Sequence, residues 1–232
     1  MDEKEAIVAE AAGEIQITEE EYRYFTVPYI MAQGVVGAQL QNSAITLNEI
    51  ANRERGCSIV SKIIGRHGPK KYSSAIGKLQ KKGRPCTLEG ASTLNDIAGL
   101  RVIVAYEDDI QTVVDEILDL YPDAEVKNFL PEGKKLSGYR GIHVIVMAKI
   151  VVDNEILYIP VEIQVMTPLM SDWSLRQHDD YKGLTADKEI GAFFRKLSKH
   201  YVEIEKIRMA LREYGVFLVN KNDEDFHVYY SD

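Results

Sequence analysis

The sequence predicts a mixed α+β fold, a mixed sheet flanked by helices with helical additions at both ends, and three observations carry that prediction. Residues 100–106, 142–151 and 155–165 are dense in β-branched and other apolar residues and bounded by turn formers, the signature of strands in a sheet. Asp153-Asn154 separates the last two, the two-residue spacing of a hairpin. Between and beyond these runs the apolar residues recur at helical spacing, so helices pack on one or both sides of the sheet.

Residues 1–17 read as a frayed or helical lead. Thr18-Glu19-Glu20-Glu21 supplies an N-cap and an acidic first turn, and Pro28 interrupts the helix they open. From 29 to 53 the positions Ile30, Met31, Val35, Val36, Leu40, Ile45, Leu47 and Ile50 predict one long helix, or two pieces meeting near Gly34 or Ser43. Its expected role is packing or oligomerisation, which makes a second copy of the chain, docked through terminal helices, an expected partner. Residues 57–64 read as a strand, 65–69 as a turn, and 73–82 as a short helix ended at Gly83 with Pro85 beyond. A helix follows at 108–120 with Asp108 or Asp109 at its acidic start, then a strand at 125–130. Residues 169–181 and 187–214 read as helices. The organisation is an N-terminal helical extension over 1–54, a central domain over 55–185, and a C-terminal helix and tail over 186–232.

Within the 155–165 strand, Ile159, Val161, Ile163 and Val165 alternate with Tyr158, Pro160, Glu162 and Gln164, so a period of two puts Glu162 and Gln164 together on the non-core face. By the same rule His143 faces away from Val144 and Val146.

With 232 residues and a net charge of −8, the chain has room for one sizeable domain and is unsuited to general nucleic-acid binding. The charge is uneven, however. Between Arg53 and Arg84 there are 10 Lys and Arg residues against the single acid Glu54, an electropositive stretch suited to a triphosphate. The N-terminus has no basic and apolar leader, and no run of about 18 apolar residues occurs, so a cytoplasmic protein without a membrane partner is expected. Cys57 and Cys86 lack metal or redox spacing and are expected to pack.

One stretch carries the make-up of a nucleotide grip. In Lys134-Lys135-Leu136-Ser137-Gly138-Tyr139-Arg140-Gly141-Ile142-His143, Gly138 and Gly141 let the backbone turn sharply and approach a ligand, and Tyr139 offers a flat face for a base. Lys134, Lys135, Arg140 and His143 can meet phosphate oxygens. It lies between Asn95-Asp96-Ile97-Ala98-Gly99-Leu100-Arg101 upstream and Val161-Glu162-Ile163-Gln164-Val165 downstream, so three polar sites sit on three apolar strands.

That order, with the basic stretch before it and Trp173, His178, Tyr181 and Lys182 after it, resembles the synthetase domain of the RelA/SpoT family, which makes the alarmones ppGpp and pppGpp. The resemblance covers roughly residues 55 to 185 and implies a nucleotidyltransferase-like architecture, that of a stand-alone small alarmone synthetase. It implies transfer of pyrophosphate from ATP to the 3′-hydroxyl of GDP or GTP, with AMP leaving. Asp96 and Glu162 are the implied catalytic pair and ligands for Mg²⁺, a hard cation that takes oxygen ligands and leaves positions for phosphate. Glu162 is also an implied base for the hydroxyl proton. The implied ATP contacts are Arg66, Lys70, Lys71, Ser74, Lys78 and Arg101, with either Lys70 or Lys71 matching the family's lysine and Arg66 lying upstream of the family's spacing for the adenine-stacking arginine. The implied acceptor contacts are Lys135, Tyr139, Arg140, His143, Gln164 and His178; a strand histidine bonded to a neighbour is the alternative for His143.

The chain departs from the family's pattern where the acceptor is expected. Gly141 stands for a serine, Leu136-Ser137 for Pro-Asn, Met166 for an arginine, and Gln177 for a glutamate. Loss of the arginine and the glutamate together leaves no lone charge behind. These departures open a second reading, the toxic branch of small synthetases, which makes adenosine alarmones or pyrophosphorylates the tRNA 3′-CCA end. Lys81, Lys82 and Arg84 would then meet RNA, and an antitoxin protein would be a partner. A catalytically inactive nucleotide-binding regulator is the third reading, and the retained carboxylates argue against it.

Overall fold

The computed structural model describes residues 15–66, 68–131, 137–181, 188–213 and 228–231. Thr18 opens α1 (Glu19–Phe25) through a capping box, its hydroxyl accepting from the Glu21 amide while the Glu21 carboxylate accepts from the Thr18 amide. Pro28 lies in the first turn of α2 (Val27–Arg55), where its missing amide donor costs nothing, so the break falls at Thr26. Neither Gly34 nor Ser43 divides α2, which runs unbroken to Gly56. Asn48 on this helix accepts from the amides of Ile59 and Val60 and donates to the Val60 carbonyl, delaying the first strand to β1 (Val60–Arg66).

The elements that follow are α3 (Tyr72–Lys81), α4 (Leu88–Ser92), β2 (Ala98–Val104), α5 (Asp109–Leu120), β3 (Glu125–Asn128), β4 (Ile142–Val152), β5 (Glu155–Met166), α6 (Pro168–Tyr181), α7 (Lys188–Glu213) and β6 (Val228–Ser231). The hairpin turns where expected, with Asp153 and Asn154 both at positive φ as a two-residue turn requires. Asp108 and Asp109 do not cap α5 through their side chains. Asp109 is buried and paired with Arg55 at 2.7 Å, and Asp108 is paired with Arg212.

The strands form one mixed sheet in the order β3-β4-β5-β2-β1-β6. Two pieces of it escape sequence patterning. Arg66, placed by composition in a turn, is the last residue of β1, and the terminal segment Val228–Ser231 pairs parallel with β1 as an edge strand. The helix α4 is also unforeseen; it is a single turn capped by the Thr87 hydroxyl on the Gly90 amide.

On β2, β4 and β5 the residues Leu100, Val102, Val144, Val146, Val161 and Ile163 turn to one face and are buried. The helix α2 crosses that face, with Gly37 seated against Leu100, and α5 packs on β4 and β5. The opposite face carries the polar residues, so the alternation predicted for Glu162, Gln164 and His143 selects the functional side of the sheet. Among the described residues no helix is long and apolar enough to cross a membrane.

Candidate active site

The strand register brings three polar residues into one row. Arg101 of β2 pairs with Gln164 of β5, which pairs with His143 of β4, and Glu162 sits one pleat away opposite Gly99. Because they share a face, their side chains join. Arg101 donates to Gln164 Oε1 at 3.0 Å, Gln164 Nε2 donates to Glu162 Oε2 at 2.9 Å, and His143 Nδ1 lies 3.1 Å from Glu162 Oε1. The chain ends at the Tyr139 hydroxyl, 2.5 Å from His143 Nε2.

Burial pushes the Tyr139 hydroxyl well above the usual tyrosine range, so it keeps its proton beside Nε2. His143 Nδ1 faces the Glu162 carboxylate as a donor. Burial alone would raise the Glu162 carboxyl, but the hydrogen bond and electrostatic pull of His143, with the hydrogen bond from Gln164, outweigh it and hold the group below its ordinary value. Glu162 is therefore an ionised carboxylate at neutral pH.

The second carboxylate is held differently. Asp96 precedes β2 and is 9% exposed; its Oδ2 accepts from Lys70 Nζ at 2.9 Å and from Lys78 Nζ at 2.7 Å. Desolvation works to raise its pKa, and the two lysines win, bringing it down to about 2. Its other oxygen, Oδ1, is buried and accepts no hydrogen bond from the described residues.

The turn that presents Asp96 is braced from four sides. Arg66 Nη1 donates to the Asp96 and Ile97 carbonyls at 2.7 and 3.3 Å, and the Lys70 amide donates to the Ile97 carbonyl at 2.8 Å. Gln33 on α2 donates to the Arg66 carbonyl and accepts from the Gly99 amide, and the Tyr22 hydroxyl donates to the Lys70 carbonyl. Gln33 and Tyr22 were missed by sequence reasoning. The only signal for Gln33 is that it is a polar residue in an otherwise apolar helical stripe, beside buried Ala32 and Val36.

The remaining expected residues divide as follows. Lys71 is exposed at the N-cap position of α3 and Ser74 lies half-buried in its first turn. Arg101 reaches past Gln164 to the Ser171 hydroxyl of α6 at 3.0 Å. Tyr139 is 9% exposed, its ring packed edge-on with Phe129, His143 and Trp173. Arg140 is paired with Glu107 at 2.5 Å. Lys135 lies outside the described residues, and of His178 only its place in α6 is described.

Gly138 and Gly141 both have positive φ, +88° and +145°. A Cβ on Gly138 would meet the backbone of α7 at Arg195, 3.2 Å away, and Ser198 of α7 donates to the Gly138 carbonyl at 2.6 Å. The C-terminal helix therefore seats the grip loop directly. A Cβ on Gly141 would meet the Tyr139 hydroxyl at 3.3 Å and Met166 Cε at 3.4 Å. Two departures from the family pattern thus touch: Met166 is 0% exposed and fills the space beneath Gly141, so this position is core and not a phosphate partner.

A hard divalent cation fits this donor set. Magnesium uses one or two carboxylates together with substrate phosphates, and Asp96 Oδ1 is a buried anionic oxygen without a donor among the described residues. Among the described residues no group of three or more His, Cys, Asp or Glu side chains forms an all-protein metal site.

Residues 67–185 match the region found in RelA / SpoT proteins. GTP pyrophosphokinase YjbM of Bacillus subtilis (strain 168) is 30% identical over 168 residues, 71% of this chain and 75% of that protein. GTP pyrophosphokinase YwaC of the same organism is 33% identical over 122 residues, 51% of this chain, and the match spans only 57% of that relative's length. A GTP pyrophosphokinase family protein from Streptococcus pneumoniae superposes with a TM-score of 0.68 at 27% identity, over 84% of this chain and 94% of that one. Small alarmone synthetase 1 from Bacillus subtilis, bound to its product pppGpp, shares the fold with a TM-score of 0.71 at 24% identity, over 84% and 98% of the two chains. A family match over half the residues, joined to a relative aligned along most of the length, means that this chain belongs to the RelA/SpoT family.

Proposed function

We propose that the chain is an ATP-dependent pyrophosphokinase that moves the β,γ-pyrophosphate of ATP to the 3′-hydroxyl of GDP or GTP. A bond forms between the 3′-oxygen and the β-phosphorus, the bond from that phosphorus to the oxygen bridging to the α-phosphate breaks, and AMP leaves with that oxygen. The observation that carries the reading is the pair of carboxylates, buried Asp96 before β2 and half-buried Glu162 on the adjacent parallel strand, each ionised beside cationic or polar donors.

Asp96 and Glu162 are the residues that would hold Mg²⁺, which when bound supplies charge neutralisation for the transferred phosphates. Lys70 and Lys78 turn their ammonium groups to the ATP phosphates, aided by Lys71 and by the first-turn amides of α3 near Ser74. Arg66 serves as the brace of the Asp96 turn, since its guanidinium already donates to two carbonyls. Arg101 holds Gln164, and through it the orientation of Glu162. Glu162 accepts the hydroxyl proton as the 3′-oxygen attacks, with His143 keeping the carboxylate aimed by its Nδ1 proton.

On the acceptor side Tyr139 stacks on the guanine, Lys135 and Arg140 meet acceptor phosphates, and His143, Gln164 and His178 line the acceptor. Stacking requires the Tyr139 ring to leave its packing against Phe129 and Trp173 and to release His143; Arg140 likewise must leave Glu107.

The test is transfer from γ-labelled ATP with Mg²⁺ to GDP, GTP, GMP, ADP or deacylated tRNA, each offered separately. Label in a guanine nucleotide with stoichiometric AMP is the expected result. Label in tRNA or an adenine nucleotide alone, with GDP and GTP inert, overturns the acceptor assignment and brings back an antitoxin as the partner to seek.

A further inference from the structure

Of the two carboxylates in the site, Asp96 is the more unevenly used. One oxygen, Oδ2, takes both Lys70 and Lys78, at 2.9 and 2.7 Å, while Oδ1 is buried and takes nothing from the described residues. Two ammonium groups on one carboxylate leave an excess positive charge at the place where a divalent cation is expected. Like charges gathered on one carboxylate oxygen repel any further cation that approaches it. The lysine side chains are 17% and 33% exposed, so each can swing outward without unfolding anything, whereas the Asp96 turn is fixed by Arg66, Gln33 and the Lys70 amide.

From this geometry we propose that Lys70 and Lys78 form a displaceable clamp that keeps the divalent cation off Asp96 until a triphosphate draws the two ammonium groups away. In the free protein the clamp takes the place of the metal. A polyphosphate offers the lysines more negative charge than Asp96 does, so its arrival transfers them to phosphate oxygens and frees Oδ2 beside the unbonded Oδ1. The cation then enters with the nucleotide, and the nucleotide-free enzyme holds little of it. This rests on the reading of Asp96 as a metal ligand and adds the order in which metal and nucleotide bind.

Mn²⁺ serves as the probe, its free concentration read by electron paramagnetic resonance as it is titrated into the full chain with and without a non-hydrolysable ATP analogue. Mn²⁺ alone should bind native protein weakly. Lys78→Met and, separately, Lys70→Met should each tighten nucleotide-free Mn²⁺ binding by about tenfold, while Lys78→Arg, which keeps the charge, should not. Adding Asp96→Asn to Lys78→Met should remove the gain, and circular dichroism checks that each variant is folded. Tight nucleotide-free Mn²⁺ binding by the native protein that is lost in Asp96→Asn overturns the clamp while leaving Asp96 a metal ligand. So does unchanged binding in both folded methionine variants. Mn²⁺ binding that ignores Asp96→Asn in every background, with analogue present, instead overturns the metal reading itself.

Discussion

Replacing Asp96 by Asn keeps the shape of the side chain and removes its charge, and the structure sets the size of two separate consequences. The first is on folding. The Asp96 carboxyl is held at about 2 against an ordinary value of 3.8, because Lys70 and Lys78 outweigh the desolvation that opposes them. A folded-state pKa depressed by that amount contributes about 2 kcal/mol of stability at neutral pH. The contribution is complete above the unfolded-state value and disappears as the pH falls through the folded-state value. Urea denaturation of native and Asp96→Asn protein should therefore differ by about 2 kcal/mol at pH 7, and the two curves should converge between about pH 4 and pH 2. The second consequence is on the reaction. Loss of an anionic ligand at a phosphoryl-transfer site removes several kcal/mol of transition-state stabilisation, so label transfer to GDP should fall roughly 10³-fold or more. Equal stabilities at all pH values would refute the lysine pairing, and turnover within a few-fold of native would remove Asp96 from the chemistry.

Glu162→Gln should abolish transfer with the fold intact, because glutamine can still accept from His143; near-normal single-turnover rates would exclude Glu162 as metal ligand and base. Tyr139→Ala should weaken acceptor use by about 1–3 kcal/mol and spare ATP use, as steady-state kinetics with each substrate varied will reveal. Tyr139→Phe loses the hydroxyl contact with His143, a penalty of about 1 kcal/mol, and an effect on ATP alone would reverse donor and acceptor sides. Gly90→Ala places a Cβ 2.0 Å from the Pro85 carbonyl oxygen and should destabilise the α4 turn by about 1–3 kcal/mol, read from thermal unfolding. Lys81→Glu with Lys82→Glu, both exposed, should leave GDP-dependent AMP release within a few-fold, whereas severe loss would favour an RNA acceptor.

Local rules carried much of this fold because the decisive signals are local. The capping box at Thr18, the proline at the start of α2, the Asp153-Asn154 turn and the alternation that puts Glu162 beside Gln164 each depend on residues within a few positions of one another. The alternation also named the functional face of the sheet, since Val161, Ile163 and Val165 form the core-facing set of β5 and leave Glu162 and Gln164 on the other side. What sequence could not determine is register and distant pairing. Arg101, Gln164 and His143 fall in one row only because β2, β5 and β4 align as they do, and a shift of one residue would have scattered them over both faces. The two-lysine hold on Asp96 joins a loop and a helix to a turn well downstream in the chain, and no spacing rule reports such a contact. The same is true of Gln33 reaching Arg66 and Gly99, of Met166 filling the space beneath Gly141, and of β6 completing the sheet edge. Residue type and periodicity determined which groups carry charge and which way a strand faces; only the tertiary structure decided which of them meet, because those contacts close loops whose geometry depends on the whole packed chain.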